Sequence, residues 1–431
     1  MDIPKILLAK ADEIEAILKE KCPEAAPFFK GCFLNTIETT VTELEDGSYF
    51  VITGDIPAMW LRDSAAQVKP YIRYANEDEH LRNILKSIIE KHAFYVCLDP
   101  YSNAFNAKPN PDSAKDETSF YHELIWERKY EVDSLCAPLY LAHEYYQTTL
   151  DNSIFTETFK EMLWKIFETF KKEQNHMINS TYFFNRKNCP VIDTLSNDGK
   201  GEEVGYTGMT WSGFRPSDDR CKLGYLIPAN MMAVCALKKA AELASIGYED
   251  TKLESECRSL AFDIDEGIKE YGLIDNDRHG KMYAYETDGK GNYILMDDAN
   301  SPSLLSAPYL GYVKADNEYY KNTRDFILSN DNPWYFEGSA AKGVGSPHTG
   351  IDKIWHIALS MQALTSTSKD EIKECIKMLT TTDAGTLLMH ESFYKNDAKD
   401  FTRPWFAWSN SLFAELLIRI ADGTINISDE C

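Results

Sequence analysis

The sequence predicts an all-α protein, a ring of six helical hairpins with short β-hairpins in the connecting loops. Three observations carry that prediction. Apolar residues recur at helical spacing over roughly 64–97, 131–176, 227–272, 301–330, 353–380 and 408–421, and several of these stretches are long enough for two helices and a turn. Between them lie loops dense in Trp, Tyr, Asn, Asp, Gly and Pro, at about 50–63, 98–130, 178–226, 273–300, 331–352 and 381–407. No stretch resembles another in sequence, as the repeats of an open helical solenoid would. Six loops separated by helical hairpins suit a closed toroid, in which the loops of one end meet around a central pocket and a rigid scaffold aims them there. No Pro- or Ser-rich linker divides residues 1–431, so the chain is read as one domain.

Taken in order, residues 2–21 form an amphipathic helix with acids throughout, neither a signal peptide nor a membrane span. A second helix follows Pro27. The stretch VITGDIPAMWLRDS (51–64) places Asp55, Trp60, Arg62 and Asp63 on the lip where a loop enters a helix, with Asp63 or Ser64 as its N-cap. A flat apolar face beside paired polar groups is what a sugar subsite needs; a buried ion pair beside a core Trp explains the same residues. The later loops hold DPYSNAFN (99–106), WERKYEVDS (126–134), VIDTLSNDG (191–199), YTGMTWSGFRPSDD (206–219), MDDANSPS (296–303), WYFEG (334–338), GSPHT (345–349), DAGTLLMHESF (383–393) and RPWFAWSN (403–410). Of the eight Trp, only Trp164 sits mid-helix, which favours a ligand pocket over simple packing.

Composition narrows the ligand. A net charge of −23 and a pI of about 4.8 repel nucleic acid and anionic membrane and favour neutral or cationic ligands. No protein partner is implied. The ten Cys are scattered without a CxxC pair, as in a reduced cytoplasmic protein. The nine His show no zinc spacing, and no glycine-rich loop opens a helix, so neither a metal nor a nucleotide cofactor is expected. DNDRHGKMYAYE (275–286) approximates a calcium loop, but His279 stands at its fifth position and no exiting helix follows.

Glycoside hydrolysis needs two carboxyl groups flanking the bond, one protonated and one ionised. The loops supply Asp55, Asp63, Glu127, Asp193, Asp218, Asp219, Asp297, Asp298, Glu337 and Glu391, and the residues alone do not choose among them. Asp218 and Asp219 stand out because Arg215 and Trp211 precede them. Arg215 would lower an adjacent acid's pKa, whereas the neighbouring Asp and burial would raise it. Glu391, between His390 and Ser392, is a candidate base. A glycoside phosphorylase would instead need a basic anion site, and a non-catalytic sugar-binding protein would have no reason for an acid opposite a base.

At these motifs the sequence resembles glycoside hydrolase family 125, bacterial and fungal exo-α-1,6-mannosidases. The resemblance rests on ITGDIPAMWLRDS, WERKYEVDSLC, YTGMTWSGFRPSDD, YLIPANM, YAYETDGKGNY, MDDANSPSLLS, KGVGSPHT and the stretch from DAGT through FTRPWFAWSNS, spanning about residues 30–415. It implies an (α/α)6 barrel, no metal, and release of terminal α-1,6-linked mannose from N-glycan-type oligosaccharides with inversion of configuration. It assigns Asp218 as general acid and Glu391 as general base, and it alone prefers Asp218 to Asp219. An inverting pair should stand roughly 6.5–9.5 Å apart. Asp218 should then carry a raised pKa, and Glu391 should have a donor such as His390, or a positive group from another loop, close by. Arg62, Asp63, Asp298 and His348 are expected to grip the mannose hydroxyls, with Trp60 or Trp211 as a wall.

Overall fold

Two kinds of helix alternate along the chain. In the computed structural model, which describes residues 2–113 and 116–428, they are α1 (Lys5–Lys21), α2 (Ala26–Thr39), α3 (Leu61–Val68, prolonged by a 3-10 turn over Lys69–Tyr74), α4 (Glu79–Leu98), α5 (Val132–Thr149), α6 (Glu157–Glu173), α7 (His176–Asn179), α8 (Ile227–Tyr248), α9 (Thr251–Tyr271), α10 (Ala307–Leu310), α11 (Glu318–Ile327), α12 (His356–Thr365), α13 (Lys369–Thr381) and α14 (Ala407–Ala421). Helix α14 is buried nearly all round, with only Arg419 partly exposed. Helix α6 buries one stripe, Phe159, Met162, Leu163, Ile166, Phe167 and Phe170, whose three–one spacing is that of a single helix face. A helix apolar on every side needs neighbours on every side; one with a stripe can face water.

The packing follows from that difference. Helices α3, α5, α8, α10, α12 and α14 each contact the next, and α14 closes on α3. The striped helices α4, α6, α9, α11 and α13, together with α2, stand outside this ring, and α1 packs on α2 and α14. The fold is an (α/α)6 barrel. Connections from an inner helix to the next outer one are short: 75–78, 150–156, 249–250, 311–317 and 366–368. Those from outer to inner are long: 40–60, 99–131, 174–226, 272–306, 328–355 and 382–406. All six long loops therefore enter the N-terminal ends of the inner helices, where backbone N–H groups and the helix dipoles favour anionic side chains.

Small antiparallel sheets stitch neighbouring loops together. Trp60 pairs with Ala104, which pairs with Glu127, and Trp355 pairs with Ser392, which pairs with Thr402. The first and sixth loops are joined by a bridge between Gly54 and Phe406 and by backbone hydrogen bonds from Asp55 to Trp405 (3.2 Å) and Ala407 to Thr53 (3.0 Å).

Two local expectations are corrected. Helix α3 begins at Leu61, not at 64, because extended Trp60 passes straight from strand pairing into the helix. Asp63 thus lies in its first turn rather than capping it, and Ser64 Oγ donates back to the Trp60 carbonyl at 2.6 Å. The helical stretch expected over 301–330 is broken: α10 is a single turn, ended by Gly311 at φ 85°, and the Ser- and Pro-rich segment before it is loop. The calcium-like stretch is a β-hairpin (Leu273–Asn276 with Gly280–Tyr283), and its Arg278 and His279 reach Asp331 at 2.8 and 2.6 Å. All nine described cysteines are free; Cys431 lies outside the described residues. No described helix is long and apolar enough to cross a membrane.

Candidate active site

Trp60, Arg62 and Asp63 reach the loop end of the ring because strand pairing fixes Trp60 and α3 then turns Arg62 and Asp63 towards α5. Arg62 Nη1 donates to Glu131 (2.7 Å) and Asp133 (2.8 Å) at the start of α5, and Nη2 lies 3.3 Å from Asp63. One guanidinium thus serves three buried carboxyl groups. Among the described residues, Asp63 Oδ2 accepts no hydrogen bond beyond this ion pair and Arg62 Nε has no acceptor. Burial pushes the Asp63 carboxyl up in pKa, against the pull of Arg62 and Arg403.

Asp218 follows a turn in which its N–H bonds the Arg215 carbonyl at 2.9 Å, and it sits at φ 66°, a left-handed conformation that Asp tolerates better than most residues but still at a cost. Its Oδ1 accepts from Asn103 Nδ2 (3.2 Å) and Trp60 Nε1 (3.4 Å), while its carbonyl accepts from Lys129 Nζ (2.8 Å). Arg215 does not act on it: that guanidinium is 2.6 Å from Glu286. The raised pKa expected of Asp218 is not what its surroundings produce. Burial pushes the carboxyl up, but Lys129, a hydrogen bond with Glu131, Arg62 and His348 together hold it well below the usual carboxylate range. Glu131, fully buried, is driven well above that range, chiefly by desolvation and against the pull of Arg62.

Glu391 is presented by the loop between α13 and α14, next to the strand pairing of Ser392 with Thr402. It accepts from Thr402 Oγ1 at 2.9 Å and lies 3.5 Å from Arg403 Nη1. His390 is not its donor: that ring stacks on Phe401 at 3.9 Å and turns Nε2 to Thr386 and the Asp383 carbonyl. Arg403, itself at φ 47°, is held by Asp55 (2.6 and 2.9 Å) and by Thr53 (3.1 Å).

His348 Nδ1 is 3.1 Å from Asp219. Burial lowers its pKa, but the hydrogen bond and charge of Asp219, with Glu391 and Asp218 beyond, raise it to about 9. The imidazole is therefore a cation at neutral pH.

These groups converge on one polar pocket of about 360 Å³, counting its mouth, lined by Trp60, Arg62, Asp63, Asp218, His348 and Glu391 among others. That size is at the small end for ligand sites and suits a single sugar ring better than an open cleft. Trp355, Phe406 and Trp408 add aromatic surface, and Asn300 adds an Oδ1 that is buried without a hydrogen-bond partner among the described residues. Buried acceptors left open in a cavity are what a polyhydroxylated ligand would satisfy. Arg62 and Trp408 also border a second, mostly apolar cavity between the inner helices, lined by side chains such as Leu141, Met232 and Leu412.

Two expected residues are elsewhere. Trp211 does not line the pocket: it is 1% exposed and stacks on His176 at 3.6 Å, in space left by Gly201, Gly213 and Gly224. Asp298 is fully buried behind the wall, accepting from Ser217 Oγ at 3.0 Å, and Asn300, two residues on, faces the pocket instead. Sequence reasoning also passed over Arg403, Asn103 and Glu131. The one legible hint was that Arg403 is the only arginine in the sixth loop.

A model of the family described as metal-independent α-mannosidase (GH125) matches residues 23–418. The meiotically up-regulated gene 157 protein of Schizosaccharomyces pombe is 38% identical over 422 residues, covering 93% of this chain and 82% of that protein. A solved Streptococcus pneumoniae structure, described as a metal-independent α-mannosidase in a non-productive complex with α-1,6-mannobiose, is 44% identical with a TM-score of 0.94, covering 97% of this chain and 98% of its own. The glucoamylase of Saccharomycopsis fibuligera is 12% identical with a TM-score of 0.54, covering 98% of this chain and 96% of its own, a likeness of fold alone.

Proposed function

The chain belongs to glycoside hydrolase family 125, and on that premise we propose that it releases terminal α-1,6-linked mannose from the non-reducing end of N-glycan-type oligosaccharides with inversion at the anomeric carbon. The observation that carries this reading is one small pocket holding Asp218 and Glu391 together with Asp63 and the open acceptor of Asn300. Asp218 delivers a proton to the glycosidic oxygen as the C1–O bond breaks. Glu391 takes a proton from the water that attacks C1 from the opposite face. Among the described residues the two carboxyl groups share no hydrogen-bond partner. Thr402 and Arg403 fix Glu391; a guanidinium can only donate, so the oxygen facing it serves as an acceptor. Asp63, Asn300, Arg62 and His348 bind sugar hydroxyls, and Trp60 forms a wall. No step calls for a metal or cofactor. The free, mostly buried cysteines fit a reducing, cytoplasmic setting.

Proton NMR of α-1,6-mannobiose with the enzyme tests the reading. Initial β-mannose is expected. Initial α-mannose would mean retention and would remove Glu391 from the role of base on water. Release that depends on phosphate would point to a phosphorylase.

A further inference from the structure

The acid assigned to Asp218 must hold a proton, yet the groups around that carboxylate favour its ionised form. The carboxyl groups nearby outnumber the donors. Asn103 Nδ2 carries two hydrogens and faces three carboxyl oxygens: Glu127 Oε1 at 3.0 Å, Glu131 Oε1 at 3.2 Å and Asp218 Oδ1 at 3.2 Å. Glu131 Oε2 is fully occupied by Arg62 Nη1 and Ser134 Oγ, both at 2.7 Å, so Oε1 is the oxygen left towards Asp218. Glu127 has its own cations, Arg186 at 2.8 Å and Lys129 at 3.6 Å. Arg62 is shared among Asp63, Glu131 and Asp133. Trp60 Nε1 gives Asp218 Oδ1 a second, longer contact at 3.4 Å. Yet Glu131 Oε1 and Asp218 Oδ1 still meet on one amide nitrogen, while Arg62 pairs with Glu131 Oε2 and Lys129 with Glu127 and Asp193. A proton on Glu131 Oε1 relieves the repulsion between them.

We propose that Glu131 and Asp218 hold a single proton between them, with Glu131 as its resting place and Asp218 as its point of delivery. This rests on the assignment of Asp218 as the acid. Glu131 does not touch the substrate; it is a positioning residue for the proton. In the productive state the proton sits on Asp218, and the Glu131 carboxylate is balanced by Arg62, Ser134 and Asn103. As the C1–O bond breaks, its electron pair stays on the leaving oxygen and Asp218 protonates it. The pair is left with two negative charges and takes one proton back from solvent, matching the one that Glu391 removed from the attacking water and releases. With the proton on Asp218, burial and the like charge then left on Glu131 oppose its loss, whereas Lys129, Arg62 and His348 favour it, as does the hydrogen bond from Glu131 when Glu131 carries the proton. Asp63 and Asp133 add to the same negative field from α3 and α5.

The test compares α-1,6-mannobiose, whose leaving group needs protonation, with α-mannosyl fluoride, whose leaving group needs little. Glu131→Gln removes the like charge and offers Asp218 an amide donor. It is expected to lower kcat/KM on mannobiose roughly tenfold or more while leaving the fluoride within about threefold, since general-acid assistance carries effects of this order. The alkaline limb of its mannobiose profile should move to lower pH, while Glu131→Asp, which keeps a carboxyl group, should regain part of both losses. Equal losses on the two substrates, or no loss on either, would overturn the proposal. If Glu131→Gln does not fold, Glu131→Asp carries the test: a loss confined to mannobiose supports the shared proton, and an equal loss on both refutes it. Asp218→Asn run in parallel separates the two assignments. If it spares neither substrate or both, the acid lies elsewhere; if it spares only the fluoride, Asp218 stands and Glu131 is judged alone.

Discussion

Trp211 packs where three glycines leave room for it. A Cβ on Gly201, Gly213 or Gly224 would come within 2.8, 3.1 or 2.6 Å of the indole. Its ring stacks on His176 and lies near Tyr130, so its surroundings are those of a core residue rather than a sugar wall. Trp211→Ala should therefore cost about 3–5 kcal/mol of stability by cavity formation. Denaturant melts would show this, with KM for mannobiose little changed in the folded fraction; a raised KM at unaltered stability would return Trp211 to the subsite. His348 makes a different residue-scale prediction. Its pKa is raised from 6.5 to about 9, chiefly against burial and through Asp219. A group whose pKa is raised on folding stabilises the protein fully below its unfolded pKa and loses that contribution as pH rises through the folded one. Asp219→Asn should then lower the melting temperature most below pH 6.5 and least above pH 9, the window set by those two values. The imidazole is partly solvent-exposed, so the effect should be on the order of 1 kcal/mol after allowing for screening. A difference between the two proteins that does not change with pH would refute the pairing.

At the scale of elements, the barrel is closed by contacts between its first and last loops. Gly54 sits at φ 136° with its α-carbon against Trp405, and a Cβ there would come 2.2 Å from the Trp405 carbonyl oxygen. The same contact sets Asp55 where it holds Arg403, and through Arg403 it reaches Glu391. Gly54→Ala should lower both the melting temperature and kcat, whereas Gly47→Ala, at an open turn where an added Cβ meets nothing within 4 Å, should lower stability modestly through its positive φ alone. Equal kcat in the two variants would dissociate closure from catalysis. The alternation of helices was legible because apolar period and loop composition are local properties. So was the gathering of six loops at one end, since polar, aromatic stretches alternate with helical ones along the chain. What was not legible depends on contacts across the ring. Nothing near residue 403 says that its guanidinium meets Asp55, 348 positions earlier. Nothing in WERKYEVDS says which of Glu127 and Glu131 faces Asp218. Asp298 and Asn300 differ only in which side of a turn each takes, and Arg215 looked like a partner of Asp218 because sequence distance was the only distance available.

The whole molecule carries a net charge of −23, yet the pocket gathers Arg62, Arg403 and a protonated His348, each already facing acids of the protein. A neutral oligosaccharide feels little of the long-range field, because the field acts on charge and a sugar has none. On the proposed reading its binding rests on hydrogen bonds to groups inside the pocket, where bulk salt screens weakly. For α-1,6-mannobiose, kcat/KM should change less than about twofold between ~0.02 and ~0.5 M sodium chloride, a range over which the Debye length falls several-fold. An α-mannoside with an anionic aglycone should behave differently, being repelled at low salt and gaining as salt rises, since the protein's excess of acids is spread over its surface. Steady-state kinetics on the two substrates in one salt series would decide it. A steep salt dependence for mannobiose would mean that exposed ion pairs at the mouth set the pocket's geometry. Arg403 and Asp55, whose side chains are 21% and 35% exposed, would be the first pair to suspect.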